Sequence, residues 1–275
     1  WFLMQSICDY LLSDGTLQLH LKAAFLGMVR MLAFISMSPI FGPNVTNGIK
    51  MPLLVALYMP LHPLMLEEAQ MLSVESFNDL LFVFALIVKE IIIVLFFAYL
   101  TSVIFYIALS AGSVIDNQRG ASMAQTNDPL SGAETSPLGN ALFMCMITLF
   151  FASGAFMHFI NLFYSSYSLM PVLKLLPSLS SSNLAVYALS NLDYMMEQAI
   201  LVCAPFLLVT LLCDIALGLI NRFAPQLNVF ILSMPIKSGV CSLLIIFYIS
   251  HFMNYLYGIF AQLYERFSTM MRIFG

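Results

Sequence analysis

Charge is what this sequence lacks most. Only 9% of its 275 residues are Asp, Glu, Lys or Arg, against about 25% in a soluble globular domain. So few charges exclude an ordinary water-facing enzyme and a disordered chain. Ten Lys and Arg against fourteen Asp and Glu leave a net charge of −4. No basic stripe is available to neutralise phosphates, so nucleic acid is excluded as a partner. Cysteine is sparse too. Cys8, Cys145, Cys203, Cys213 and Cys241 form no CxxC pair, and four of them sit inside apolar runs. They read as small hydrophobes rather than a disulfide framework or a metal centre.

Catalytic patterns are missing as well. There is no HExxH, no GxSxG elbow, no P-loop and no GxGxxG, so metal, ATP and dinucleotide chemistry have no foothold. His20, His62, His158 and His251 are scattered without metal-ligand spacing. Ser153 and His158 lie five apart, about 140° round a helix, and do not form a nucleophile–base pair. The expectation is a non-enzyme with no cofactor and no metal.

Apolar residues fill the space that charge leaves. They make up 61% of the chain, the mean hydropathy is +0.94, and Phe and Met number 24 and 19. Apolar runs cover 23–41, 51–66, 80–111, 138–163, 199–220 and 227–262. Alternating barrel-type patterns do not recur, so the runs predict an all-α, polytopic protein of about six membrane spans surrounded by lipid. Residues 1–22, with Asp9, Asp14 and Lys22, do not read as a signal peptide. Run 51–66 carries Pro52, Pro60 and Pro63 and is expected to be kinked or only partly inserted. Run 80–111 would reach about 48 Å as a straight helix, so it tilts, protrudes or turns back. Pro235 and Gly239 predict a short piece before Pro235 and a main helix after Ser238. With six spans, one side collects Lys22, Lys174, Arg266 and Arg272 and the other Lys50, Arg119 and Arg222. That near-tie sets no orientation by the positive-inside rule.

Several charges fall inside apolar runs: Arg30, Lys89, Glu90, Asp214 and Lys237. Each costs about 2.5–3.5 kcal/mol at a helix centre on insertion scales. Lys89 and Glu90 adjoin in sequence and point about 100° apart, so they are not expected to face each other. Interhelical ion pairs or snorkelling are one account, and a polar pathway or subunit interface is the other. The loop 112–137 is dense in Gly, Ser, Asn, Asp and Pro, and loops beyond about 12–15 residues are usually functional or disordered. Gly112 and Gly120 permit tight reversals there. Asp116 and Arg119, three apart, can pair, and Asn117 and Gln118 can supply breakable hydrogen bonds.

Three strings carry a resemblance. Ile115-Asp116-Asn117-Gln118-Arg119-Gly120 is followed by Asp128-Pro129 and Gly132. Arg222-Phe223-Ala224-Pro225-Gln226-Leu227-Asn228-Val229-Phe230 is followed by Met234-Pro235-Ile236-Lys237-Ser238-Gly239. Arg30 precedes Ser38-Pro39-Ile40-Phe41. Together, over about residues 23–260, they resemble the T subunits of type III secretion export apparatus (the SpaR/YscT/FliR family), in the virulence or injectisome form more than the flagellar one. The resemblance implies helical hairpins with interrupted helices: N-terminal hairpins over 23–111, a plug-like loop over 112–137 and C-terminal hairpins over 138–262. It implies assembly with R-type and S-type subunits and other apparatus components into an export gate for unfolded secreted proteins. The gate belongs in the bacterial inner membrane, within the base of the secretion system. Gly112, Asp116, Asn117, Gln118, Arg119, Gly120, Asp128 and Pro129 would belong to the plug. Arg222, Pro225, Gln226, Asn228, Pro235 and Lys237 would belong to subunit interfaces. A small secondary transporter is the alternative, although no symmetric pair of interrupted helices accompanies Pro205 and Pro235. An intramembrane enzyme is a third reading that lacks a site.

Overall fold

The computed structural model describes residues 16–42, 45–72, 77–120, 136–174, 181–224, 226 and 228–274. The architecture is all-α. Helix α1 spans Thr16–Met37 and stops before Ser38-Pro39, since the residue ahead of a proline is driven out of the helical region. The Ser38 hydroxyl accepts from the Ile40 amide and starts a 3-10 turn, Pro39–Phe41. Helix α2, Asn47–Tyr58, and α3, His62–Gln70, are joined by a second 3-10 turn, Met59–Leu61. Pro60 and Pro63 fall at the starts of the turn and of α3, where a missing N–H costs nothing. The proline-rich run is therefore interrupted by a 3-10 turn at Met59–Leu61, but Pro52 sits inside α2 without ending it and Asn47–Gln70 is long and apolar enough for one span. Helix α1 packs against both halves.

Helix α4 runs unbroken over Phe77–Gln118, 42 residues, or about 63 Å. The possibility that this run turns back on itself is removed. The helix also takes in Gly112 to Gln118, so the first part of the polar stretch is helical rather than loop. Residues 121–135 lie outside the described residues. Helix α5, Pro137–Ala152, and α6, Ala155–Leu169, meet at a 73° bend. The run 138–163 is therefore not one straight helix. Gly154, at φ +77°, occupies a left-handed conformation at that bend that L side chains disfavour.

The last two helices correct a second expectation. Helix α7, Ser181–Phe223, carries Pro205 inside it, and α8, Val229–Phe274, carries Pro235 inside it. No break follows Pro235. A proline removes its own N–H bond and crowds one carbonyl, but in apolar surroundings leaving the helix would strand many backbone groups instead. Among the described residues five helices are long and apolar enough to cross a bilayer, or six if the bent pair is one span. The chain is a multi-pass membrane protein.

Two compact units result. Of the described residues, the first gathers those within Trp1–Ser102, Phe159–Leu184 and Arg266–Gly275, and the second those within Val103–His158 and Ala185–Glu265. Aromatic rings fill both cores. In the first, Phe34 stacks on Phe159 at 5.0 Å, and Phe267 meets Phe159 at 5.3 Å and Phe97 at 5.6 Å. In the second, Phe150 meets Phe105 at 5.5 Å and Phe260 at 5.6 Å.

Candidate functional site

In the second unit the end of α4 is clamped to the start of α5 by one carboxylate. Asp116 is 1% exposed. Its Oδ1 accepts from Arg119 Nε at 2.8 Å and pairs with Nη2 at 2.6 Å, the i,i+3 partnership that the spacing predicts. Its Oδ2 accepts from Ser136 Oγ at 2.6 Å and from the Leu138 amide at 2.9 Å. The Ser136 hydroxyl in turn accepts from the Gly139 amide at 2.9 Å. Asp116 and Ser136 thus satisfy orphan amides of the α5 N-terminus. Both flanks of the stretch 121–135 are held by this one side chain.

Glycines set the closeness of that joint. A Cβ on Gly112 would lie 2.6 Å from the Gly139 nitrogen. Gly112 is therefore not a reversal residue as the sequence implied; it sits inside α4 and lets two backbones touch. Gly120 does reverse the chain, with φ +80°. A Cβ built there would lie 3.2 Å from Met234 Cγ. The two motif strings, a hundred residues apart, thereby come together. On α8, Lys237 follows Met234 by one turn, and its ammonium pairs with Asp214 of α7 at 2.5 Å.

The remaining predicted residues do not join this cluster. Asn117 and Gln118 have exposed side chains, as do Arg222, Gln226, Asn228 and Pro235. The Asn228 carbonyl accepts from the Ile231 and Leu232 amides at 3.2 Å and opens α8. Asp128, Pro129 and Pro225 lie outside the described residues.

The first unit buries a separate ion network. Arg30, Lys89 and Glu90 are 0%, 2% and 1% exposed. Arg30 of α1 grips Glu90 of α4 with a fork, Nε to Oε2 at 2.5 Å and Nη2 to Oε1 at 3.0 Å. Its Nη1 donates to Ser166 Oγ at 3.0 Å, and its Cζ lies 4.1 Å from the Tyr167 ring centroid. Lys89 Nζ reaches Glu90 Oε1 at 2.8 Å. This overturns the expectation that neighbours cannot meet. The 100° separation holds for Cβ directions, but a four-carbon stem can curl its ammonium back to a shared point. His20 and His62, scattered in sequence, also meet, with Nδ1 to Nε2 at 3.0 Å. Among the described residues no group of three or more His, Cys, Asp and Glu side chains could hold a metal ion.

Residues 21–263 match the family described as bacterial export proteins, family 1. This chain belongs to that family. It is 34% identical over 231 residues to Yop proteins translocation protein T of Yersinia pestis, covering 84% of this chain and 85% of the relative. It is 29% identical over 235 residues to surface presentation of antigens protein SpaR of Salmonella typhimurium, covering 84% of each. Identity to flagellar biosynthetic protein FliR of Escherichia coli is 26% over 221 residues, 80% of this chain and 81% of the relative. The resemblance to type III secretion T subunits thus holds, and the chain serves protein export in company with other apparatus subunits.

Sequence reasoning missed several members of these clusters. Ser166 and Tyr167 carry no periodic or motif signal of their own, and Met234, though inside a motif string, gives no sign that it meets Gly120. Ser136 alone was readable, because Ser before Pro137 is an N-cap followed by Pro at N1.

Proposed function

We propose that this chain is a structural, non-enzymatic subunit of the export gate of an injectisome-type secretion system in the bacterial inner membrane. It contributes part of the wall that unfolded proteins pass, and the stretch from Gly112 to Pro129 contributes the plug. R-type and S-type subunits are its partners, and Arg222, Pro225, Gln226, Asn228, Pro235 and Lys237 belong to the interfaces with them. The observation that carries this reading is the meeting of Gly120 with Met234 beside the Asp116 clamp. Such a joint fixes both ends of a polar stretch within an apolar protein. The injectisome assignment draws on the greater identity to the Yersinia protein than to the flagellar one.

Native mass spectrometry of the chain co-expressed with its operon tests the assembly. A defined hetero-oligomer with small hairpin partners is expected. A lone monomer would reject the gate and return the transporter alternative. In the assembled gate, Gln118→Ala and Arg119→Ala are expected to raise ion leakage. Unchanged leakage would remove these residues from the plug.

A further inference from the structure

We propose that Lys89 and Arg30 cap a chain reversal, and that Glu90 serves to hold these two cations over it. The reversal is Met170–Lys174, immediately after α6. Helix ends leave carbonyls without partners, and Pro171 cannot continue the helix. Met170 and Val172 are 3% and 1% exposed, so these two turn their side chains inward, while Pro171 and Leu173 are half-buried and Lys174 is exposed. Four carbonyl oxygens of the reversal are met by side chains, and that of Pro171 also accepts from the Lys174 amide at 3.3 Å. Lys89 Nζ donates to the carbonyls of Pro171 at 3.1 Å, Val172 at 2.7 Å and Lys174 at 3.0 Å. Arg30 Nη2 donates to the Met170 carbonyl at 2.9 Å. The one amide drawn into the network, Val172 N, donates to Glu68 Oε2 at 3.2 Å. Helices α1, α3 and α4 therefore each send a charged side chain to the same short segment.

The distribution of acceptors separates this role from a simple interhelical ion pair. An ammonium has three protons, and here three backbone carbonyls and Glu90 Oε1 crowd round it. Both Glu90 oxygens accept from Arg30, and Oε1 also meets Lys89. Arg30 by itself balances the single carboxylate charge, so charge pairing alone does not need Lys89. Backbone capping does. The arrangement is an oxygen cage with a tethered cation inside, and it stands independently of what the assembly transports.

The test is peptide-resolved maleimide labelling of a Val172→Cys variant in native membranes, with the operon co-expressed. Cys203 and Cys241, both buried, report the integrity of the second unit within the same sample. The introduced thiol is expected to be protected while Lys89 is present. When Lys89→Met is added, labelling of that thiol should rise about tenfold or more, as for a segment that opens locally, with Cys203 and Cys241 unchanged. Continued protection in the presence of Lys89→Met would overturn the capping role. Should Lys89→Met expose all three thiols, Lys89→Ala is labelled with and without methylammonium. Protection of the introduced thiol restored by the free cation supports the cage, and failure to restore it overturns the proposal.

Discussion

Gly112 and Gly139 cross with their backbones in direct contact. A Cβ on Gly112 would fall 2.6 Å from the Gly139 nitrogen, and one on Gly139 would fall 2.9 Å from the Leu109 carbonyl oxygen. Backbone cannot swing aside as a side chain does, so α4 and α5 must part to admit even a methyl group. Gly112→Ala is expected to destabilise the protein by about 1–3 kcal/mol, the usual range for overpacking. Thermal unfolding of the purified complex would read this as a lowered midpoint. Gly218→Ala is the control: nothing lies within 4 Å of its added Cβ, and helix propensity should raise stability by up to about 1 kcal/mol.

Asp116→Ala removes the acceptor that the Leu138 amide, the Ser136 hydroxyl and Arg119 share. Loss of a helix cap costs about 0.5–2 kcal/mol. Asp116→Asn keeps one oxygen in place and should cost less. If the clamp holds the plug shut, the two variants will leak ions in the order Ala above Asn above parent. Equal leakage by both variants and the parent would separate the clamp from gating.

Glu90→Ala leaves Arg30 and Lys89 buried without their shared carboxylate. Breaking a buried pair from one side costs about 3–5 kcal/mol. Membrane blots should show little accumulated protein. Asp214→Ala, whose carboxylate is 45% exposed and so is not enclosed by this chain, should lower accumulation less than Glu90→Ala does.

Gly154→Ala tests the bend between α5 and α6. Space is open around its added Cβ, so the whole penalty is conformational. At φ +77° an L side chain costs about 1–2 kcal/mol. A lowered unfolding midpoint is expected, and an unchanged one would show that the bend relaxes.

The helical class and the number of apolar segments were legible because composition leaves no other way to satisfy the backbone in hydrocarbon. Asp116 with Arg119 was legible because three-residue spacing fixes neighbours on one turn. Other features depend on distances that sequence spacing does not encode. Pro235 reads as a break but is accommodated, because the competing cost of unpaired backbone is set by surroundings. The Gly154 bend was hidden within an apolar run whose length fits one span. Lys89 and Glu90 converge because a third group, the 170–174 backbone, draws the ammonium round. The Gly112–Gly139 contact joins two residues whose small size is visible but whose partner is not.

Helices α4, α7 and α8 have 42, 43 and 46 residues, so each is roughly twice as long as a bilayer's hydrocarbon is thick. Large aromatic rings stand exposed near these ends, beside polar residues such as Asp79 and Arg222. Phe77 and Phe84 open α4 at 74% and 64% exposure, and Phe223 closes α7 at 85%. Whichever stretch emerges from lipid takes such rings into water unless other chains cover them. An excess copy would therefore present the greasy, uncovered surface by which quality-control proteases select their clients. The cellular lifetime of this subunit is then expected to follow the supply of whatever chains cover it, which would make balanced synthesis a physical requirement rather than a matter of economy.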